Sequence, residues 1–134
     1  MFNTKEAETV VLQIQDDSVV PIYLQLYNQI VAGISDGRLS PGERLPTVRA
    51  LAAEIGVNAM TVNRAYQQLK QEGFLQIDRR SGARVRERFA GRPELPAESA
   101  ALLRQLGAEA RARGVSRAAF LALCEEAYGE ENGQ

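Results

Sequence analysis

Residues 58–71 hold a row of side chains that can hydrogen-bond to nucleic-acid bases. At helical spacing, one outward face collects Asn58, Thr61, Asn63, Arg64, Gln67 and Gln71. Solvated helix faces usually carry Glu and Lys, whereas this one has no acidic residue before Glu72. Because amide and guanidinium groups pair bidentately with adenine and guanine edges, the row indicates readout of DNA bases. A plain helical hairpin in a small core would show the same spacing and is the alternative.

The row lies on the second of two predicted helices. Their apolar faces are formed by Val48, Leu51, Ala52 and Ile55 in the first and by Val62, Ala65, Tyr66 and Leu69 in the second. Gly56 lies directly after the first helix, where a left-handed C-cap residue is expected, and Val57 is expected to be buried. Asn58 can cap the second helix, which ends at Gly73. This is the helix-turn-helix plan, whose second helix enters the DNA major groove.

A basic hairpin is predicted directly after these helices. Residues 74–77 and 83–86 are short alternating runs around a turn that contains glycine, with Ala83 and Val85 facing inward. Arg79 and Arg80 lie at the tip, and Arg is the residue that inserts into a narrow minor groove. A hairpin in this place makes the plan a winged helix. The alternative for the tip is a turn that only adds solubility.

A further helix and a connector are predicted before the motif. Pro21 fits the first turn of a helix, and Gly37 stops it. Its apolar stripe consists of Tyr23, Leu26, Tyr27, Ile30, Val31 and Ile34. In the connector, Leu39 and Leu45 are expected in the core. The nearby basic residues Arg38, Arg44 and Arg49 are each either a phosphate contact or a solvated side chain.

Two more helices are predicted after a linker that two prolines and a glycine interrupt. Ser116 caps the second of them. Their apolar stripes supply the expected dimerisation residues Leu102, Leu103, Leu106, Phe120, Leu121, Cys124 and Tyr128. About 40 residues rarely bury enough surface to stand alone, so we expect packing against a second copy in a two-fold dimer. The alternative is that these helices fold back on the rest of the chain. Cys124 is interpreted as a packing residue.

The amino-acid composition argues against most kinds of catalytic site. The chain has no histidine and a single cysteine, so it lacks the commonest general base, a thiolate–imidazole pair and a zinc cluster. We therefore expect no enzyme, no metal and no cofactor. No apolar run approaches the roughly 20 residues of a membrane span, and the N-terminus lacks the features of a signal peptide. The simplest interpretation is a cytoplasmic protein without a membrane partner.

Charge is distributed unevenly along a chain whose net charge is −1. Residues 1–37 carry a net charge of −4, and residues 93–134 carry −3. Residues 38–92 hold eleven basic and five acidic groups, a net charge of +6. A basic middle between acidic ends is the asymmetry that a DNA-binding face needs.

The predicted fold is mainly α with a small β wing. It consists of a winged helix-turn-helix domain and a C-terminal two-helix dimerisation appendage. The boundaries are residues 1–20 for an N-terminal segment with a short strand over 10–15, 21–87 for the winged helix, 88–96 for the linker, 97–129 for the helical dimerisation region and 130–134 for a tail.

A series of short motifs runs through residues 21–86. They are Pro21-Ile-Tyr-Leu-Gln-Leu26, Gly37-Arg-Leu39, Pro41-Gly42, Leu45-Pro46, Arg49, Leu51-Ala52, Gly56-Val57-Asn58, Thr61-Val62, Ala65-Tyr66, Leu69 and Glu72-Gly73. Together they resemble the DNA-binding domain of the GntR family of bacterial transcription regulators. The short helical tail is similar to that of the YtrA-type branch, which lacks the larger effector-binding domains of its relatives.

The resemblance implies a homodimeric repressor that binds double-stranded DNA at an inverted repeat in a promoter, often that of a transporter operon. By position, the family's DNA contacts fall on Thr47, Arg49, Asn58, Thr61, Asn63 and Arg64, and on the wing around Arg80, Ser81 and Gly82. The chain departs from the family at Ala59 and Met60, which can touch a thymine methyl but cannot read base edges by side-chain hydrogen bonds. In the wing, Arg80 and Arg84 replace a glycine and a phenylalanine, so the geometry of the wing is an open question.

The competing interpretation is a winged-helix module that binds protein rather than DNA. The nearly neutral net charge and the acidic helical tail favour it. The sequence also leaves open whether a small-molecule effector binds. The tail is too short to enclose a pocket of the usual roughly 300–1,000 Å³, so an effector would sit in a dimer or interdomain crevice.

Overall fold

A computed structural model describes residues 14–15, 17–80 and 82–129 of the chain. The chain divides into two compact units, the first ending at Arg92 and the second beginning at Pro93. The first unit contains α1 (Ile22–Ser35), α2 (Val48–Ile55), α3 (Ala59–Glu72), β1 (Leu75–Asp78) and β2 (Gly82–Val85). The second contains α4 (Ala97–Ala112) and α5 (Arg117–Tyr128). The order of elements confirms a mainly α fold with a small β wing.

The first unit has one apolar core to which all its elements contribute. Leu26 and Ile30 on α1 are buried, whereas Tyr23, Tyr27, Val31 and Ile34 pack at its margin. The core residues are Leu26, Ile30, Leu39, Leu45, Leu51, Ala52, Val62, Ala65, Tyr66, Leu69, Leu75, Ala83 and Val85. The predicted inward positions of Leu39, Leu45, Ala83 and Val85 are thus confirmed. Val57, expected to be buried, is only half-buried at the edge of the core.

The turn between α2 and α3 is fixed by caps at both of its ends. Gly56 ends α2 in the left-handed conformation with φ +73°, and its N–H donates to the carbonyl of Ala52. Asn58 then starts α3, and its Oδ1 accepts from the N–H of Met60 at 2.7 Å. A left-handed residue and a polar N-cap turn the chain abruptly while satisfying some of the backbone groups at the two helix ends. The predicted helix-turn-helix is confirmed, with α3 as its second helix.

The wing is paired on both sides of β2. Antiparallel β1 and β2 align Leu75 with Val85 and Ile77 with Ala83. On its other side, β2 pairs with residues 42–45 of the connector. The N–H of Gly42 donates to the Val85 carbonyl and the N–H of Leu45 donates to the Ala83 carbonyl, both at 2.8 Å. Nη1 of Arg84 donates to the carbonyl of Gly42 at 3.3 Å. The base of the wing is therefore held to the connector, a pairing that the sequence did not predict.

The last residues of the first unit pack against the end of α3. Gly73 ends α3 with φ +99°, and its carbonyl accepts from the N–H of Ala90 at 3.0 Å. The ring of Phe89 lies 5.0 Å from that of Phe74. A Cβ on Gly73 would clash with the backbone nitrogen of Gly91. Residues 89–91 of the predicted linker 88–96 therefore contact the first unit.

Tyr66 spans the core and ties α3 to the start of α2. Its buried hydroxyl donates to the carbonyl of Pro46 at 2.8 Å, and burial raises the pKa of this phenol. Because Pro46 is also buried, Tyr66→Phe leaves its carbonyl unsatisfied, and we expect the free energy of unfolding to fall by about 1–2 kcal/mol. Urea unfolding followed by circular dichroism measures this change.

Burial of the Tyr66 phenol also makes the folded state less stable at alkaline pH. The unfolded phenol ionises near its ordinary pKa of about 10, whereas the folded phenol stays neutral to higher pH. The contribution of Tyr66 to stability is therefore full below pH ~10 and is lost as the pH rises above it. Tyr66→Phe should flatten this loss. Tyr23→Phe is the matched control, since the Tyr23 hydroxyl makes no hydrogen bond within the described part of the chain; an equal flattening there would contradict the assignment to Tyr66.

The second unit is a pair of helices whose apolar side chains remain accessible. Ser116 caps α5 as predicted, and its hydroxyl oxygen accepts from the N–H of Ala119 at 3.1 Å. Neither α4 nor α5 buries a residue. Among residues 14–15, 17–80 and 82–129, none of the helices has the length and apolar character that a membrane crossing requires. Most of the strand expected over 10–15 and the tail over 130–134 lie outside the described residues.

Candidate nucleic-acid interface

The outward face of α3 presents polar side chains and one methionine. Met60 is 79% exposed, and Asn63, Arg64 and Gln67 are exposed as well. The opposite face is buried in the core and fixes the rotation of the helix. Ala59 and Thr61 are half-buried, and Ala59 packs against the core. Six of the predicted contact residues, those at positions 58–61, 63 and 64, are thus brought together at the start of α3.

The two caps at the motif leave hydrogen-bonding capacity on their side chains. Oγ1 of Thr47 accepts from the N–H of Ala50 at 3.0 Å, so α2 begins at Val48, and the hydroxyl proton of Thr47 can still be donated. Asn58 likewise keeps its two amide protons. Arg49 is exposed in the first turn of α2. Donors at the start of a helix are suited to phosphate oxygens, since the helix dipole adds to their attraction.

Arg64 contacts an aromatic ring on another helix. Its Cζ lies over the ring of Tyr23, 3.7 Å from the ring centroid. Tyr23 is in the first turn of α1 and is half-buried at the margin of the core. The sequence predicted Tyr23 only as part of an apolar stripe. The regular spacing identified Tyr23 as a packing residue but did not predict its contact with Arg64 on α3.

The tip of the wing carries the two predicted arginines in exposed positions. Arg79 and Arg80 are exposed, and the N–H of Arg80 donates to Oδ1 of Asp78 at 2.9 Å, which fixes the turn. Gly82 begins β2 with φ +72°. Ser81, also predicted as a contact, lies outside the described residues. The positive charge at this tip is therefore turned toward solvent.

The other arginines of the connector and wing differ in their exposure and in whether their side chains have a partner. Arg38 pairs with Asp36 at 2.8 Å, and the Arg38 guanidinium lowers the pKa of that carboxyl. Arg84 is tied to Gly42 by its side chain, and Arg44 is exposed. Arg44 in the connector and Arg49 in α2 are thus the more accessible of these basic groups. Within the described residues, no group of three His, Cys, Asp or Glu side chains comes together where a metal ion could be held.

The second unit exposes the apolar side chains that were predicted for dimerisation. Leu102 is 56% exposed, Leu106 49% and Tyr128 77%. Leu103 and Leu121 are exposed as well, and Phe120 and Cys124 are half-buried. A groove of about 410 Å³ lies between α4 and α5, and it is lined by Leu103, Leu106, Phe120, Leu123 and Cys124 among others. Exposed apolar surface of this kind is typical of interaction sites.

A family model and several known proteins match the chain. Residues 22–85 match the model described as bacterial regulatory proteins, gntR family. The HTH-type transcriptional regulator Rv1152 of Mycobacterium tuberculosis is 40% identical over 97 residues, which cover 72% of this chain and 77% of that protein. The HTH-type transcriptional repressor YtrA of Bacillus subtilis is 38% identical over 76 residues, 57% of this chain and 58% of that protein.

Solved structures match as well. YtrA from Sulfolobus acidocaldarius, a GntR-family transcription factor, has a TM-score of 0.57 and 35% identity, and the match covers 76% of this chain and 98% of that one. The DNA-binding domain of AraR in complex with operator ORX1 has a TM-score of 0.51 and 25% identity, over 55% of this chain and 95% of that one. The range matched by the family model, residues 22–85, includes the helix-turn-helix and wing described above.

Proposed function

This chain belongs to the GntR family of bacterial regulatory proteins and is a DNA-binding transcription regulator, and from that premise we propose that it is a homodimeric repressor of an inverted-repeat operator. The main support for this proposal is the outward face of α3. It combines exposed amide and guanidinium groups with an opposite face that is locked in the core. Such a helix can present the same hydrogen-bonding pattern to every duplex that it meets, which sequence-specific readout in the major groove requires.

The proposed contacts form three groups. Asn63 and Arg64 suit base edges on the outward face of α3, with Met60 and Ala59 suited to thymine methyl groups. Thr47, Arg49, Asn58 and Thr61 lie at or near the starts of α2 and α3 and suit the phosphates. Arg79, Arg80, Ser81 and Gly82 in the wing suit the backbone or the minor groove.

The second unit supports the dimer. α4 and α5 leave an apolar face unburied around the groove lined by Leu103, Leu106, Phe120 and Cys124. Together with the accessible Leu102, Leu121 and Tyr128, these are the proposed dimerisation residues. A two-fold pairing of these helices would remove that face from water and present two recognition helices to one duplex. Half-sites one helical turn apart, about 34 Å, are the expected spacing. The repressor named YtrA in Bacillus subtilis supports repression as the outcome, with the bacterial cytoplasm as the place of action.

Selection from random duplex DNA tests this function. The purified full-length chain is passed through successive rounds of binding, and the retained duplexes are sequenced. We expect an enriched inverted repeat with half-sites about one turn apart. Asn63→Ala with Arg64→Ala should abolish the enrichment while circular dichroism shows an unchanged fold. The absence of any enriched sequence at low salt, with a folded dimer confirmed by light scattering, would contradict the proposal.

The wing makes a separate prediction about salt dependence. Replacing Arg79 and Arg80 together by alanine should reduce the slope of log affinity against log salt by about 1–2 units, because each lost phosphate contact releases one counterion fewer. Fluorescence anisotropy with the selected duplex at several salt concentrations measures the slope.

A matched loss of charge is available in the second unit. Arg104 and Arg111 are exposed on α4, and replacing both by alanine removes the same formal charge from the second unit instead of from the wing. This control should leave the slope nearly unchanged. An equal decrease in both variants would mean that net charge, rather than contact by the wing, sets the salt dependence.

A further inference from the structure

We propose that Tyr23 is a positioning residue for DNA recognition, holding the guanidinium of Arg64 at the outward face of α3. This inference rests on the proposed function, because it assigns Arg64 a role in the complex with DNA. Cζ of Arg64 lies 3.7 Å from the centroid of the Tyr23 ring. At that distance the cation is attracted by the negative face of the aromatic ring.

The geometry leaves the hydrogen-bonding edge of Arg64 unoccupied. A guanidinium donates in its own plane, so a ring against its face competes for none of its five N–H groups. Within the described residues, Arg64 makes no hydrogen bond and no ion pair. The Tyr23 ring therefore restricts the rotamers of Arg64 before DNA arrives and leaves the donors for a base or phosphate.

The place of each residue supports the assignment. Arg64 follows Met60 by four residues and precedes Gln67 by three, so it belongs to the exposed stripe of α3. Tyr23 lies in the first turn of α1, packed at the margin of the same core that fixes α3. An aromatic ring held by the core is a rigid support, whereas a free arginine loses more rotamer entropy on binding.

A double-mutant cycle in the full-length chain tests the inference. Tyr23→Leu keeps an apolar side chain but removes the aromatic face, and Arg64→Ala removes the guanidinium. Tyr23→Leu alone should weaken binding to the selected duplex about fivefold. In the Arg64→Ala background the same change should have almost no further effect, because nothing remains for the ring to hold.

Two control variants separate positioning from packing. Tyr23→Phe retains the aromatic face and should bind DNA nearly as the parent does. Tyr27→Leu removes the other tyrosine of α1, whose ring packs edge-on against Phe74, with 6.3 Å between the ring centroids, rather than against Arg64. Its effect should be the same with and without Arg64. Urea unfolding confirms that each variant is folded at the temperature of the binding assay.

A DNA-independent measurement tests the contact between Tyr23 and Arg64, and duplex binding by the parent distinguishes the two ways of failing. In the free protein, nuclear magnetic resonance should show ring-current shifts of the Arg64 side-chain protons that disappear in Tyr23→Leu. If the parent binds duplexes but the Tyr23 and Arg64 effects simply add, or if Tyr23→Leu strengthens binding, the positioning role is overturned and the proposed function stands. If the parent binds no duplex, both fall, whatever the ring-current shifts show.

Discussion

Leu106→Glu should convert the protein to a monomer and lower its affinity for an inverted-repeat duplex by about 100-fold or more. Leu106 is 49% exposed on α4 and lines the apolar groove with Leu103 and Phe120. A carboxylate at this position would have to be desolvated without a partner in the proposed dimer. Loss of the dimer removes simultaneous binding of two half-sites, which is worth about 10²–10⁴ in affinity. Sedimentation velocity and fluorescence anisotropy measure the two effects.

The neighbouring residue supplies the control for Leu106. Gln105 is exposed on the same helix, so Gln105→Glu introduces the same carboxylate without removing an apolar side chain. This variant should remain dimeric and bind DNA as the parent does. Circular dichroism should show unchanged helicity in both. A Leu106→Glu protein that is folded, dimeric and tight-binding would exclude this face as the dimer interface.

Gly73→Ala should lower the free energy of unfolding of the first unit by about 3 kcal/mol. At φ +99°, any side chain at this position is strained by about 1–2 kcal/mol. The new Cβ would also clash with the backbone of Gly91, so residues 89–91 would have to move. That movement breaks the hydrogen bond from Ala90 to Gly73 and separates Phe89 from Phe74. Urea unfolding measures the loss.

Gly56→Ala isolates the backbone part of this effect. Gly56 also has a left-handed conformation, φ +73°, and ends a helix, but a Cβ there meets nothing within 4 Å. We expect it to cost only about 1 kcal/mol. If the two substitutions cost the same, the contact between the end of α3 and residues 89–91 contributes little to stability.

Local sequence signals predicted the elements of the first unit well. The signals were the spacing of Leu26 and Ile30, the cap residue Asn58 and the glycines at 56 and 73, and each acts on chain neighbours within one or two turns. Such signals are visible in the sequence because the interacting groups are close along the chain. The same holds for the wing, where alternation at 83–86 identified the buried Ala83 and Val85.

Contacts between distant segments had no such signal. The connector pairs with β2 across about 40 residues through backbone groups that every sequence has. Gly91 was predicted only as part of a linker. Its closeness to Gly73 depends on the path that the chain takes through the wing and back to the end of α3. The contact between Arg64 and Tyr23 likewise depends on how α1 packs on α3. Periodicity identified which residues face inward but did not identify these partners.

The cap at Asn58 has a consequence for how binding specificity can change. Because its Oδ1 is engaged by the N–H of Met60 at 2.7 Å, the side chain would act mainly as a donor in the proposed complex with DNA. Adenine is read by an amide that both donates and accepts, which favours Asn63. Among the residues that the structure describes, the Oδ1 of Asn63 accepts only a long hydrogen bond of 3.5 Å from Nε2 of Gln67. An altered Asn58 also alters the start of α3, whereas an altered Asn63 does not. New operator preferences are therefore more accessible to mutation at position 63 than at position 58.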